Sequence, residues 1–299
     1  MTELLRIAPD VQQALHDGLP VVALETTLVA HGFPPGVGVE VGLAAEKRVR
    51  AEGAVPATVG VVDGVVVVGL SEAELARFGE AGPSARKAGP RDLAACAAQG
   101  ALGATTVGGT LAVCRLAGIH FLGTGGIGGV HRRYAERPDV SADLAELART
   151  QALVVCSGVK SLLDVPATGE LLETLGVPTL GFRATELPLF YNAGGGPAAS
   201  ARVESAEEAA RIARAHWELG GGSLLLGRAP DRGLDVEPLY EEALAAAARE
   251  SITGQAVTPY VLSFLHERSG GRTLEVNRDL IVANAGLAAE AAVAYAELG

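Results

Sequence analysis

Against twenty-one arginines this 299-residue chain sets only three lysines, Lys47, Lys87 and Lys160. Arginine keeps its proton under all ordinary conditions, so it cannot attack a carbonyl carbon. Lysine can, once its pKa is lowered. Lys160 follows the apolar run ALVVCSGV and precedes SLLD. At a strand end of that kind partial desolvation favours the neutral, nucleophilic amine. Lys87 comes after Ser84 and Arg86 in the turn-rich stretch 81–90; it suits a phosphate, or is a surface charge. Lys47 lies in EVGLAAEKRVRAEG, an amphipathic helical pattern with a solvated face.

Glu25 ends the apolar strand of VVALETTLVAHG. In open α/β sheets ligands bind at the carboxyl ends of the strands. A carboxyl group there, beside apolar surface, has its pKa raised and can act as acid or base. The alternative is a solvated strand end. His31 either lines the same mouth or holds a loop.

Two further segments bear on anions and metals. GATTVGGT (103–110) sets Thr105 and Thr106 before a helix, where hydroxyls and free N–H groups either hold phosphate or cap the helix. GTGGIGGVHR (123–132) contains Gly123, Gly125 and Gly128 in G-x-G-x-x-G spacing. It is not a dinucleotide fingerprint: Pro138 interrupts the stretch after the glycines, and Asp143 lies in a helix start rather than at the end of a second strand. The glycines instead suggest a backbone packed closely against a ligand. Ser141 and Asp143 read as N-cap and first-turn acid, or as the seat of a hydrated divalent cation.

Positioning these groups requires a scaffold of alternating elements. Apolar runs at 119–123, 152–158, 177–182 and 223–227 predict strands, with PVVALETT (20–27) before them. ATVGVVDGVVVVGL (57–70) predicts a hairpin about Asp63-Gly64, and Ser71 with Glu74 a capping box. Helical patterns cover 9–17, 37–52, 91–98, 107–116, 142–149, 161–175, 203–219, 236–250, 256–268 and 278–297. The alternation predicts an α/β fold, a three-layer α/β/α sandwich with a largely parallel central sheet, in one domain over 1–299.

A net charge of −11 and no basic stripe argue against a nucleic-acid surface. Three widely spaced cysteines, Cys96, Cys114 and Cys156, suggest buried thiols in a reducing, cytoplasmic setting. No long uninterrupted apolar run points to a membrane span.

Several ordered stretches resemble the pseudouridine-5′-phosphate glycosidases along nearly the whole chain. They are ALETTLVAHGFP (23–34), EGAVPATVGVVDG (52–64), GATTVGGT, TGGIGGVHR (124–132), DVSADLAEL (139–147), VVCSGVKSLLD (154–164) and ITGQAVTPY (252–260). The resemblance implies that Lys160 is a covalent nucleophile and Glu25 the acid/base. It implies a manganese ion (Mn²⁺) anchored at Asp143, and a ribosyl phosphate held by Lys87, Thr106 and Ser141. His131 and Asn277 would line the site. A homotrimer is implied as well. Gly108-Gly109 depart from the alanines common in that family, which should loosen the helix start by about 1 kcal/mol each. Thr26 replaces a commoner serine and keeps the hydroxyl. The rival readings are a Schiff-base aldolase and a non-catalytic sugar-phosphate sensor.

Overall fold

The computed structural model describes residues 4–132, 134–136, 138–160, 162–253 and 257–299. Its strands are β1 (Leu5–Ile7), β2 (Val21–Glu25), β3 (Val55–Val62), β4 (Val65–Val68), β5 (Arg86–Ala88), β6 (Gly103–Thr105), β7 (Phe121–Gly123), β8 (Val130–His131), β9 (Leu153–Cys156), β10 (Leu163–Asp164), β11 (Thr179–Phe182), β12 (Ala201–Val203) and β13 (Leu224–Gly227). The helices are α1 (Pro9–His16), α2 (Thr27–His31), α3 (Val37–Ala51), α4 (Glu72–Ala81), α5 (Leu93–Ala98), α6 (Val107–Ala117), α7 (Ala142–Leu147), α8 (Val165–Thr174), α9 (Ala206–Glu218), α10 (Glu237–Arg249), α11 (Val257–Arg268) and α12 (Arg272–Glu297).

One sheet runs β1-β4-β3-β2-β7-β9-β13-β11-β12, with β6 also paired to β3 and β5 to β6. From β3 through β2, β7, β9, β13 and β11 to β12 every neighbour is parallel. Within this sheet, among the described residues, only β3 with β4 and β3 with β6 are antiparallel. The carboxyl ends of β2, β7 and β9 therefore share one edge of the sheet. All residues of β2, β7 and β9 are buried, as expected of central parallel strands covered on both faces. Helices α3, α9 and α12 pack together over β2, β7 and β9, while α6 packs on α7 and against β2 and β3. This is the expected α/β/α layering.

Local signals explain most element ends. Asp63 and Gly64 take positive φ values of 51° and 81°, the paired left-handed residues of a tight hairpin turn. Ser71 and Glu74 close the capping box. The helix expected over 161–175 begins at Val165 instead: Pro166 occupies its first turn, and Asp164 Oδ1 accepts the Ala167 N–H at 3.1 Å. Leu163 and Asp164 pair with β8. Ser161 and residues 254–256, parts of two segments used for the resemblance, lie outside the described residues.

Other departures concern the site. Residues 86–88, expected as turn, form β5. Its register sets Lys87 opposite Ala104. Strand β2 ends at Glu25, as expected, and α2 opens at Thr27. Helix α12 starts at Arg272, six residues before the expected position, so Asn277 is helical. By length and hydropathy α12 could cross a bilayer, yet 61% of its apolar window is buried inside the fold, as in a core helix.

Candidate active site

The loops leaving β7 and β9 run side by side past the sheet edge. Ser157 N–H donates to Gly125 O at 2.9 Å, Ile127 N–H to Gly158 O at 3.1 Å, and Lys160 N–H to Ile127 O at 3.2 Å. That ladder fixes the Lys160 backbone beside the glycine loop. Glu25, Lys87, Lys160 and Asn277 line one pocket together with Gly125 and Phe190. Four of the sequence-predicted residues thus meet, although they come from β2, β5, the loop after β9 and α12. The pocket adjoins a larger cavity of about 860 Å³ that shares His31, Gly32, Lys87 and Leu262 with it.

Glu25 is only 4% exposed. Thr124 Oγ1 donates to Glu25 Oε1 at 2.5 Å. Oε2 is buried with no hydrogen-bond partner among the described residues. Burial pushes the carboxyl pKa up; the positive charges of Lys160 and Lys87 and the Thr124 hydrogen bond oppose this, and the Asp143 charge reinforces it. A carboxyl group so placed keeps its proton to higher pH than usual and can deliver it. Burial, and then the charge of Lys160, push the Lys87 amine below its ordinary value, against Asp143, Glu25 and Asp139.

Threonines beneath the pocket anchor Glu25 to its neighbours. Thr26 Oγ1 donates to Val59 O at 2.9 Å and accepts the Thr105 N–H at 2.8 Å. Thr105 Oγ1 also donates to Val59 O, at 2.7 Å. The hydroxyl kept at Thr26 therefore ties β2, β3 and β6 together. From above, Asn284 Nδ2 donates to Thr124 O at 2.8 Å and to Ser157 Oγ at 3.1 Å.

The remaining predicted residues are not among those lining this pocket. Thr106 caps α6, accepting the Gly109 N–H at 3.1 Å, and Ser141 caps α7, accepting the Asp143 N–H at 3.2 Å. Asp143 is 4% exposed. Its Oδ1 accepts the Gly108 N–H at 2.7 Å and its Oδ2 the Gly128 N–H at 2.9 Å. It clamps α6 and the glycine loop onto α7. No cluster of three or more His, Cys, Asp or Glu suited to a metal occurs among the described residues. Each Asp143 oxygen retains one lone pair, so the site fits a largely water-ligated ion rather than a protein cage. His131 lies outside the pocket lining, with Nδ1 4.0 Å from Asp139 Oδ2. Burial lowers its pKa and Asp139 opposes that shift.

His31 does both things expected of it: it lines the pocket, and its Nε2–H donates to Ala85 O at 3.0 Å. Burial keeps its pKa low. The glycine loop reaches the pocket and also packs tightly on the protein around it. Gly125 and Gly126 line the pocket, and Gly126, Gly128 and Gly129 lie close to neighbouring side chains. A Cβ at Gly126 would meet Phe190 Cδ2 at 2.6 Å, at Gly128 the Ser141 Oγ at 2.3 Å, and at Gly129 the Thr168 Oγ1 at 2.4 Å. The cysteines are buried and free, and burial pushes Cys114 and Cys156 up to about 12. Such thiols are inert.

Sequence reasoning missed Thr124 and Phe190. Thr124 follows Gly123 in the glycine run, directly after β7, a position that could have been read like Glu25. Phe190 carries no local signal.

An α/β/α fold that gathers Glu25 at the end of β2, Lys87 in β5 and Lys160 after β9 around one pocket offers a site for a small molecule. The chain belongs to the family described as Indigoidine synthase A like protein, which matches residues 10–294. A Chloroflexus aurantiacus protein named pseudouridine-5′-phosphate glycosidase is 45% identical over 305 residues, covering 99% of this chain and 100% of the relative. One of the same name from Myxococcus xanthus is 44% identical, covering 98% of each. Among solved structures, the prealnumycin C-glycosynthase AlnA in complex with ribulose 5-phosphate is 38% identical with a TM-score of 0.90, over 100% of this chain and 99% of that one. An indigoidine synthase A-like protein from Thermotoga maritima gives 35% and 0.87, over 97% and 96%.

Proposed function

We propose that this protein cleaves the C–C glycosidic bond of pseudouridine 5′-phosphate reversibly, giving uracil and ribose 5-phosphate. The meeting of Lys160, Glu25 and Lys87 in one pocket carries the reading. The full-length relatives of that name and the sugar phosphate named for AlnA support it.

A carbon leaving group makes this bond hard to break. Its electrons must enter the pyrimidine ring, and the ring carbon must then be protonated. Covalent catalysis divides the task. The Lys160 amine, after giving up a proton, attacks C1′ while the C1′–O4′ bond opens, and the ring oxygen takes a proton from Glu25. Expulsion of the uracil carbanion, protonated at C5, leaves an imine between Lys160 and the sugar. Water hydrolyses the imine, freeing ribose 5-phosphate and the amine. Glu25 shuttles the protons, and its buried Oε2, without a hydrogen-bond partner among the described residues, is the atom left to meet substrate. Lys87 meets the phosphate, and Thr106, Ser141, His131 and Asn277 complete the contacts.

Manganese belongs to the same proposal. Asp143 would hold it through its remaining lone pairs, with Asp139 as a more exposed carboxylate on the same side. When bound it would supply Lewis-acid polarisation and ordered water. The proposal extends to a homotrimer and a cytoplasmic location, the first checked by light scattering of the purified protein. The deciding experiment incubates protein, Mn²⁺, uracil and ribose 5-phosphate and looks for the C-linked nucleotide. Cleavage within the sugar would instead show an aldolase, and tight binding without turnover a sensor.

A further inference from the structure

Phe190 is one of four non-glycine residues among those described with positive φ, at 55°. A bulky side chain in the left-handed region is strained, and such strain persists only where surrounding structure enforces it. Here the enforcement is visible. Phe190 N–H donates to Ser157 O at 2.8 Å, in the same strand extension that carries Lys160. Tyr191 meets the ring edge-on, with centroids 4.8 Å apart at 89°. The ring lies on Gly125 and Gly126, whose missing side chains give it room: Cβ atoms there would stand 3.5 and 2.9 Å from its Cε2. The residue is 4% exposed yet lines the pocket. Among the described lining residues it is the only Phe, Tyr or Trp.

We infer that Phe190 is the base-binding residue of this site, presenting its ring to the pyrimidine and so fixing where uracil leaves and re-enters. The inference rests on the glycosidase reading and extends it to the leaving group. A planar pyrimidine offers a π-face that aromatic side chains bind whatever its edge chemistry. The backbone strain and the paired glycines hold the ring in one place. The sugar half of the reaction does not need it, because Lys160 can capture ribose 5-phosphate alone.

That separation gives the test. Borohydride trapping with ribose 5-phosphate alone reads adduct formation, and steady-state synthesis reads the KM for uracil. Phe190→Leu should raise that KM at least tenfold, about 1.4 kcal/mol, with adduct yield within twofold of the parent. Phe190→Tyr, which keeps the ring, should stay within threefold on both. An unchanged KM in Phe190→Leu, or loss of adduct in step with KM, overturns the assignment. A second measurement needs no variant. Dihydrouracil keeps the amide edge of uracil but not its flat ring, and should inhibit the unmodified protein at least tenfold more weakly than uracil analogues that stay planar. Equal inhibition also overturns the assignment. Should the unmodified protein form no adduct with ribose 5-phosphate, the glycosidase reading itself has failed.

Discussion

Thr124 Oγ1 stands 2.5 Å from Glu25 Oε1, joining the end of β7 to the end of β2 across 99 residues of sequence. The bond favours the ionised carboxylate and works against the burial that raises its pKa. Thr124→Val removes the donor and keeps the shape. The Glu25 pKa should then rise further. If Glu25 must be protonated to act, the alkaline limb of the cleavage pH profile moves up, because a hydrogen bond to the charged form has been lost. A limb that stays put, or moves down, would remove Glu25 as its source. Glu25→Gln should abolish the limb together with most of the rate.

Lys160 and arginine share a charge but not a chemistry. Lys160→Arg should lower turnover by at least about a thousandfold, since the nucleophile is lost while the positive field stays. Intact-mass analysis after borohydride trapping should show one ribose 5-phosphate adduct on the parent and none on the variant. Full turnover by Lys160→Arg defeats the covalent mechanism.

The strands were legible because central parallel strands read as short apolar runs, and Glu25 and Lys160 stand where such runs stop. Lys87 was harder. Its strand is three residues long and pairs with β6, another three-residue strand that looks like a helix approach in sequence. Pairing between short, distant segments leaves no periodic trace. Phe190 was invisible for a similar reason, since its pocket position depends on a backbone dihedral and on glycines more than sixty residues away. Asp143 was read for its charge. Its two backbone donors, Gly108 and Gly128, come from segments that only the folded chain brings together.

Burial gives Lys87 its own pH signature. Its folded pKa is below the ordinary lysine value, so the folded protein disfavours the charged amine. The resulting destabilisation is fully present below the lowered pKa and disappears as pH rises toward the unfolded value of 10.5. Lys87→Met should therefore raise the melting temperature at pH 7 by more than at pH 10. The same variant should raise the KM for ribose 5-phosphate at least tenfold, through loss of a charge-assisted phosphate contact. A stabilised variant with unchanged KM would leave Lys87 outside the phosphate site.

Removing divalent cations tests the proposed ion separately from the amines. Chelated protein should lose activity and regain it with Mn²⁺, and Asp143→Asn should weaken that recovery. Because Asp143 also clamps Gly108 and Gly128, melting curves of the variant must be read beside its metal response. Full activity in rigorously metal-free protein would take the cation out of the mechanism.

Helix propensity alone makes Gly109 a weakness, worth about 1 kcal/mol relative to alanine. The packing reverses that sign. A Cβ at Gly109 would fall 2.2 Å from Ala88 O, and one at Gly108 3.0 Å from Asp143 Oδ1. Ala88 O is also the acceptor for the Thr106 N–H at 3.0 Å, and Ala88 is the neighbour of Lys87 in β5. The missing side chains let α6 start against β5, with Lys87 beside its N-terminus. Gly109→Ala should therefore destabilise the protein by about 1–3 kcal/mol, as overpacking does, and displace β5 enough to raise the KM for ribose 5-phosphate. Thermal denaturation beside steady-state kinetics checks both effects. A more stable Gly109→Ala protein would mean that α6 approaches β5 less closely than these contacts require.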